Sequence, residues 1–183
     1  MFRKYLYIAA FAALIGNSPS VFAHELGAHV HGLASLQIAV DANTLTLDFS
    51  GPLDNLLGFE HVPRNAQQQA AVKNMTGKFN QADQFFIPSA NAQCTLQSVK
   101  LDSLVLETKA VQEKKSQQHE EERGHADIDG EFVYACKQID KLHELDVKLF
   151  DAFPNLQQIK VEVATQKKQS SATLTPAQRR ASW

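Results

Sequence analysis

From position 28 to position 40, apolar and polar residues alternate with a period of two. Val30, Ala34, Leu36, Ile38 and Val40 point one way, and His29, His31, Ser35 and Gln37 the other. This period marks a strand with one wet face, so the pattern predicts a half-buried strand whose histidines lie off the core. Asp41-Ala42-Asn43 is turn chemistry, and Leu45, Leu47 and Phe49 resume the alternation, which makes residues 28–51 a hairpin. Gly51-Pro52 stops its second strand. Residues 53–63 mix breakers with apolar side chains and are expected to pack against the sheet.

Asn65 to Phe79 is rich in Gln, Ala, Val, Lys and Met, with Ala66, Ala70, Val72 and Phe79 at helical offsets, and predicts one helix with Phe85 as its outer limit. Short alternating runs over 94–107, 131–136, 145–150 and 159–164 read as further strands, the last two separated by Phe153-Pro154-Asn155. From Gln166 the tail turns polar, and Thr175-Pro176-Ala177 reads as a helix start. Gln112 to Gly124 holds no large apolar residue, so about 109–129 is expected to be a solvated polar loop. The pattern as a whole predicts a β-rich α+β fold, a mainly antiparallel sheet with one main helix and a long polar His/Glu loop.

The first residues carry a different signal. Arg3 and Lys4, the apolar run Tyr5 to Ile15, and Val21-Phe22-Ala23 form a signal peptide with cleavage expected after Ala23. The apolar run is about half the ~20 residues of a membrane-spanning helix, so stable membrane insertion is not expected. Removing residues 1–23 leaves 160, one domain over 24–183. It also removes Arg3 and Lys4, leaving 16 basic against 20 acidic residues, a net charge of −4 with histidines neutral. That balance, with no basic stripe, argues against nucleic acid as a ligand and is compatible with cations. Cys94 and Cys136 are the only cysteines of an exported chain and read as one disulfide. Their wide spacing disfavours a thiolate zinc or redox site.

The candidate chemistry lies in histidines and acids. Side chains two apart on a strand sit on one face, so His29 and His31 can converge on one ion; the plain alternative is two polar residues on a wet face. His24 would be the mature amino terminus, where amine and ring together could chelate a metal, although first residues commonly fray. Gly58-Phe59-Glu60-His61-Val62-Pro63 offers Glu60 and His61, against the simpler reading of a satisfied histidine beside apolar neighbours. The polar loop adds His119, His125 and Asp127, against the reading of an acidic solvated segment. If residues 127–136 form a strand, His125, Asp127, Asp129 and Glu131 share a face. His143 has no partner nearby in sequence and reads as a surface residue. The chain has no Gly-rich phosphate loop, no Gly-x-Ser-x-Gly elbow and no His-Glu-x-x-His, and it is not expected to be an enzyme.

Taken in order, His29-Val30-His31-Gly32, Pro52 through Asn55-Leu56, Gly58 to Pro63, Cys94, a His-bearing loop, Phe132 to Cys136, and Leu149-Phe150 with Phe153-Pro154 resemble the ZrgA-like family of periplasmic zinc-uptake proteins. The resemblance implies a non-catalytic periplasmic zinc-binding protein that assists uptake or buffers Zn²⁺, with a zinc importer component as partner. It carries ligand roles to His29, His31, Glu60, His61 and His125, while His24 and His119 match only the family's histidine richness. The loop departs from the family pattern, since glutamates stand where alternating His and Asp are common, and this favours a single site near the sheet. The competing reading is a copper-binding protein or enzyme braced by the mature His24 terminus.

Overall fold

A computed structural model describes residues 30–107 and 126–183. Its centre is the hairpin. Strand β1 (Leu33–Asp41) turns through Ala42-Asn43, with Ala42 at φ +50°, into β2 (Thr44–Pro52). The register runs from Asp41 opposite Thr44 to Ser35 opposite Ser50. Ala34, Leu36, Ile38, Leu45, Leu47 and Phe49 are buried, and Ser35, Gln37 and Asp48 face away.

Strand β5 (Asp127–Cys136) pairs antiparallel with β2, and β4 (Cys94–Asp102) pairs antiparallel with β5. Cys94 and Cys136 stand directly opposite one another and form the disulfide. On the hairpin's other side β7 (Gln158–Thr165) runs parallel to β1, and β8 (Gln169–Leu174) closes that edge antiparallel to β7. The six strands lie in the order β4-β5-β2-β1-β7-β8. A second, three-stranded antiparallel sheet consists of β3 (Phe86–Pro88), β6 (Glu144–Val147) and β9 (Arg180–Ser182), with β6 in the middle.

Helix α1 (Asp54–Leu57) is one turn after β2; α2 (Ala66–Phe79) is the main helix, and α3 (Leu149–Ala152) again a single turn. The Asn65 side chain accepts from Gln68 N–H at 2.9 Å, satisfying one of the free donors at the start of α2. The helix buries Val72, Met75 and Phe79. Phe79 meets Phe49, Phe132 and Phe153 at centroid distances of 5.6, 5.8 and 5.6 Å, and Phe86 of β3 meets Phe132 at 4.9 Å. Helix α2 and the small sheet therefore press on the same face of the large sheet. Ser35, Gln37, Asp48, Asp129 and Glu131 occupy its other, open face.

The hairpin, the helix, the disulfide and the α+β class stand as the sequence predicts. Several details differ. The first strand begins at Leu33, so His31 sits in the turn before it instead of on its wet face. The run 145–150 splits into β6 and α3. The polar tail is not helical: it supplies β8 and β9, and Thr175 and Gln178 exchange backbone hydrogen bonds at 2.9 and 3.0 Å. Asp127 and Asp129, placed by composition in the loop, open β5. Most of that loop lies outside the described residues.

Candidate metal site

Residues 30–33 form a tight turn closed by Leu33 N–H donating to Val30 O at 3.0 Å. Gly32 adopts φ +82°, the left-handed sign that the third position of a type II turn requires and that favours glycine. The turn is seated against the start of β7, where Gln157 and Gln158 N–H both donate to Gly32 O at 2.8 Å. It projects the His31 side chain, 60% exposed, from the end of the sheet.

Across the turn, α1 and the stretch after it bring two carboxylates to that ring. Asp54 Oδ2 lies 3.5 Å from His31 Nδ1, and Glu60 Oε1 lies 3.3 Å from His31 Nε2. The Glu60 side chain is only 9% exposed, with Oε1 itself buried, so this oxygen is already stripped of water and turned toward the imidazole. A carboxylate in that setting needs a cation or strong donors beside it. The chain reaches Glu60 through Gly58, at φ +76°, which caps α1 by donating to Asp54 O at 2.9 Å.

Zinc bound tetrahedrally at ~2.0–2.1 Å holds neighbouring ligand atoms about 3.3–3.4 Å apart. The 3.3 Å between His31 Nε2 and Glu60 Oε1 matches that ligand-to-ligand separation. With Nε2 facing the ion, Nδ1 lies 3.5 Å from Asp54 Oδ2, an ion-pair contact on the side of the ring where a carboxylate can set tautomer and orientation. Because the two carboxylates approach opposite ring nitrogens, the three side chains do not converge on one point. Among the described residues no group of three or more His, Cys, Asp or Glu forms a closed cage.

His61 follows Glu60 in sequence but is engaged otherwise. Its Nδ1 donates to Val62 O at 3.0 Å, which leaves Nε2 as the free acceptor, and its ring lies on Phe59 at 5.3 Å. It joins no ligand cluster with His31 and Glu60 among the described residues. Asp127 arrives by register: it stands opposite Pro52, two residues before Asp54, and Leu53 N–H donates to Ala126 O at 2.9 Å. Asp129 and Glu131 continue from Asp127 along the open face, as the alternation of β5 predicts. There they meet Asp48 and Asp102 around a shallow hollow of about 290 Å³ that also holds Lys100. Burial, reinforced by the Glu131 charge, raises the Asp48 carboxyl above its ordinary range. His143 is exposed, its Nδ1 donating to Lys141 O at 2.8 Å, as a surface residue should be. His24, His29, His119 and His125 lie outside the described residues.

Asp54 was not singled out in the sequence, yet the hairpin points to it. Extending the register Ser35–Ser50 outward by two residues at a time places Leu33 opposite Pro52 and His31 opposite Asp54. The acid closest to His31 Nδ1 is thus the one that the predicted turn at Ala42-Asn43 selects.

The model of the ZrgA family, described as zinc uptake proteins, matches residues 28–183. The chain belongs to the ZrgA family. The match begins just before the His31 turn, runs through Glu60 and both cysteines, and ends with β9. No curated protein matches the chain. As a ZrgA-family protein it has a role tied to zinc uptake, and none of its described helices is long and apolar enough to cross a membrane.

Proposed function

We propose that this ZrgA-family protein is a non-catalytic, periplasmic zinc carrier that captures or buffers Zn²⁺ and hands it to a component of a zinc importer. The observation that supports this reading most is the His31–Glu60 pair, set 3.3 Å apart with the carboxylate oxygen already buried. In this reading His31 Nε2 and Glu60 are ligands, and Asp54 orients the ring. For the remaining positions of a tetrahedral shell the proposal names His61, next to Glu60 in sequence, Asp127, which the β2–β5 register sets opposite Pro52, and the histidines next in the chain to Val30 and Ala126, namely His29 and His125. His24 and His119 stand further along the chain from the pair and have the weakest claim. The exposure of His31 suits a protein that must release its cargo, since it leaves the ion open to solvent on one side. The acidic strip on the open face, from Asp127 to Glu131 with Asp48 and Asp102, attracts cations toward the same sheet.

Neutral imidazole is the ligand form, so protons compete with Zn²⁺ for each ligating ring and binding weakens as the pH falls from 7.5 to 5.5. Calorimetric titration of the tag-free protein with Zn²⁺ at both values tests the proposal. It predicts binding at pH 7.5 that weakens at 5.5 and is lost in the His31→Ala variant. Equal affinity at both pH values, or full affinity in His31→Ala, would overturn it.

A further inference from the structure

Asn55 is the least exposed polar residue among those described, with 1% of its surface accessible, although it lies in a single-turn helix at the margin of the fold. Burial of a side-chain amide is costly unless its hydrogen bonds are satisfied. Here both ends are used on one short stretch of backbone. Asn55 Oδ1 accepts from Gly32 N–H at 2.6 Å, and Asn55 Nδ2 donates to Leu33 O at 2.8 Å. The amide thus takes the place of the next rung of the β1–β2 ladder, where both strands have left regular pairing. It ties the residue after Asp54 to the residue after His31.

We infer that Asn55 is a positioning residue for metal binding, which sets the approach of His31 to Asp54 and Glu60 by locking the turn onto α1. No other described side chain hydrogen-bonds the backbone of residues 31–33. The surrounding contacts leave the turn little alternative seat. A Cβ at Gly32 would lie 3.2 Å from Gln157 Cγ and 3.6 Å from Asn155 O, and Asn155 Nδ2 donates to Asp54 O at 3.3 Å, tying α1 to the segment before β7. Without the amide, Gly32 N–H and Leu33 O lose their partners, and the His31 turn is free to move relative to the acids. This inference rests on the reading of His31 and Glu60 as zinc ligands.

The test uses the full mature chain and Zn²⁺ alone, with two variants. Asn55→Ala removes both hydrogen bonds; Asn55→Asp is isosteric, keeps the acceptor for Gly32 N–H and loses the donor to Leu33 O. Zinc affinity is expected to fall 10- to 100-fold in Asn55→Ala, the usual effect of removing a residue that orients a ligand, and by less in Asn55→Asp. Met75→Ala, a core truncation in α2, serves as the destabilised control and is expected to retain wild-type affinity. In metal-free protein, nuclear Overhauser contacts between the His31 ring and the Glu60 side chain should be present in the wild type and lost in Asn55→Ala. Wild-type zinc affinity and intact His31–Glu60 contacts in both Asn55 variants would overturn the positioning role while leaving the zinc reading in place. Conversely, if His31→Ala binds zinc as the wild type does, the zinc reading fails, and the metal-free contacts alone decide whether Asn55 sets the turn.

Discussion

Replacing Cys94 and Cys136 together by alanine should cost stability and leave the metal site alone. The bond spans 42 residues of sequence, which in the chain-entropy description confines the unfolded chain by about 4 kcal/mol. For a domain of this size each kcal/mol moves the melting temperature by roughly 2–4 °C, so the double variant should melt about 8–16 °C lower. Its position separates this loss from function. Cys136 ends β5 and Asp127 begins it, and nine residues of strand place them about 30 Å apart. Calorimetric melting and zinc titration of the same preparation test both halves. A melting temperature unchanged by the double substitution would mean that packing of β4 on β5 already closes the long connection. A fall in zinc affinity at temperatures where the variant is folded would mean that the site depends on the far end of the sheet, contrary to the geometry.

Phe79→Ala removes the ring shared by Phe49, Phe132 and Phe153, and urea unfolding should show a loss of about 3–5 kcal/mol, with a much smaller loss contradicting its central place in the core. Asp54→Asn should keep the fold and lower zinc affinity by about tenfold by weakening the carboxylate that faces His31 Nδ1; unchanged affinity would remove Asp54 from the site. The Asp48 carboxyl is raised by burial and by Glu131, so the folded protein holds that proton more tightly than the unfolded chain. The associated stability is present below the ordinary carboxylate range and lost as pH rises through the folded value. Asp48→Asn should therefore stabilise at pH 7, by less than about 0.5 kcal/mol for so exposed a position, and lose that advantage at pH 3. Urea midpoints at the two pH values decide it, and an equal gain at both would contradict the cause assigned.

What was legible in the sequence was local. The hairpin is fixed by period-two alternation around Asp41-Ala42-Asn43, and α2 by its composition and its Asn65 cap, because both depend on residues close in sequence. Pairing of β1 with β7 is not of this kind. Residues more than a hundred positions apart meet in parallel, and nothing in the alternation of either strand names its neighbour. The tail was misread because β8 is an edge strand. Its outer residues face water, so Gln169 to Thr173 looks like a linker, and only Leu174 is fully buried.

The site divides in the same way. Glu60 and His31 were found from residue type, yet the strand expected to carry His31 stops at Leu33, because Gly32 at φ +82° turns the backbone out of the ladder. That turn changes the partner of His31 from its strand neighbour to the acids of the α1 region. Asp54 carries no site role in the sequence and Asn55 enters only within the family motif from Pro52 to Leu56, because an acid and an amide after Gly51-Pro52 look like ordinary turn residues. Their meaning comes from the register that sets them against His31 and Gly32.

Zinc-edge anomalous diffraction from crystals of the mature protein grown with Zn²⁺ tests the His31–Glu60 site most directly. The expected result is an anomalous peak about 2.0–2.2 Å from both His31 Nε2 and a Glu60 oxygen, with Asp54 on the opposite ring nitrogen. Zinc bound elsewhere with His31 still paired directly to Glu60, or no bound zinc at neutral pH, would contradict it.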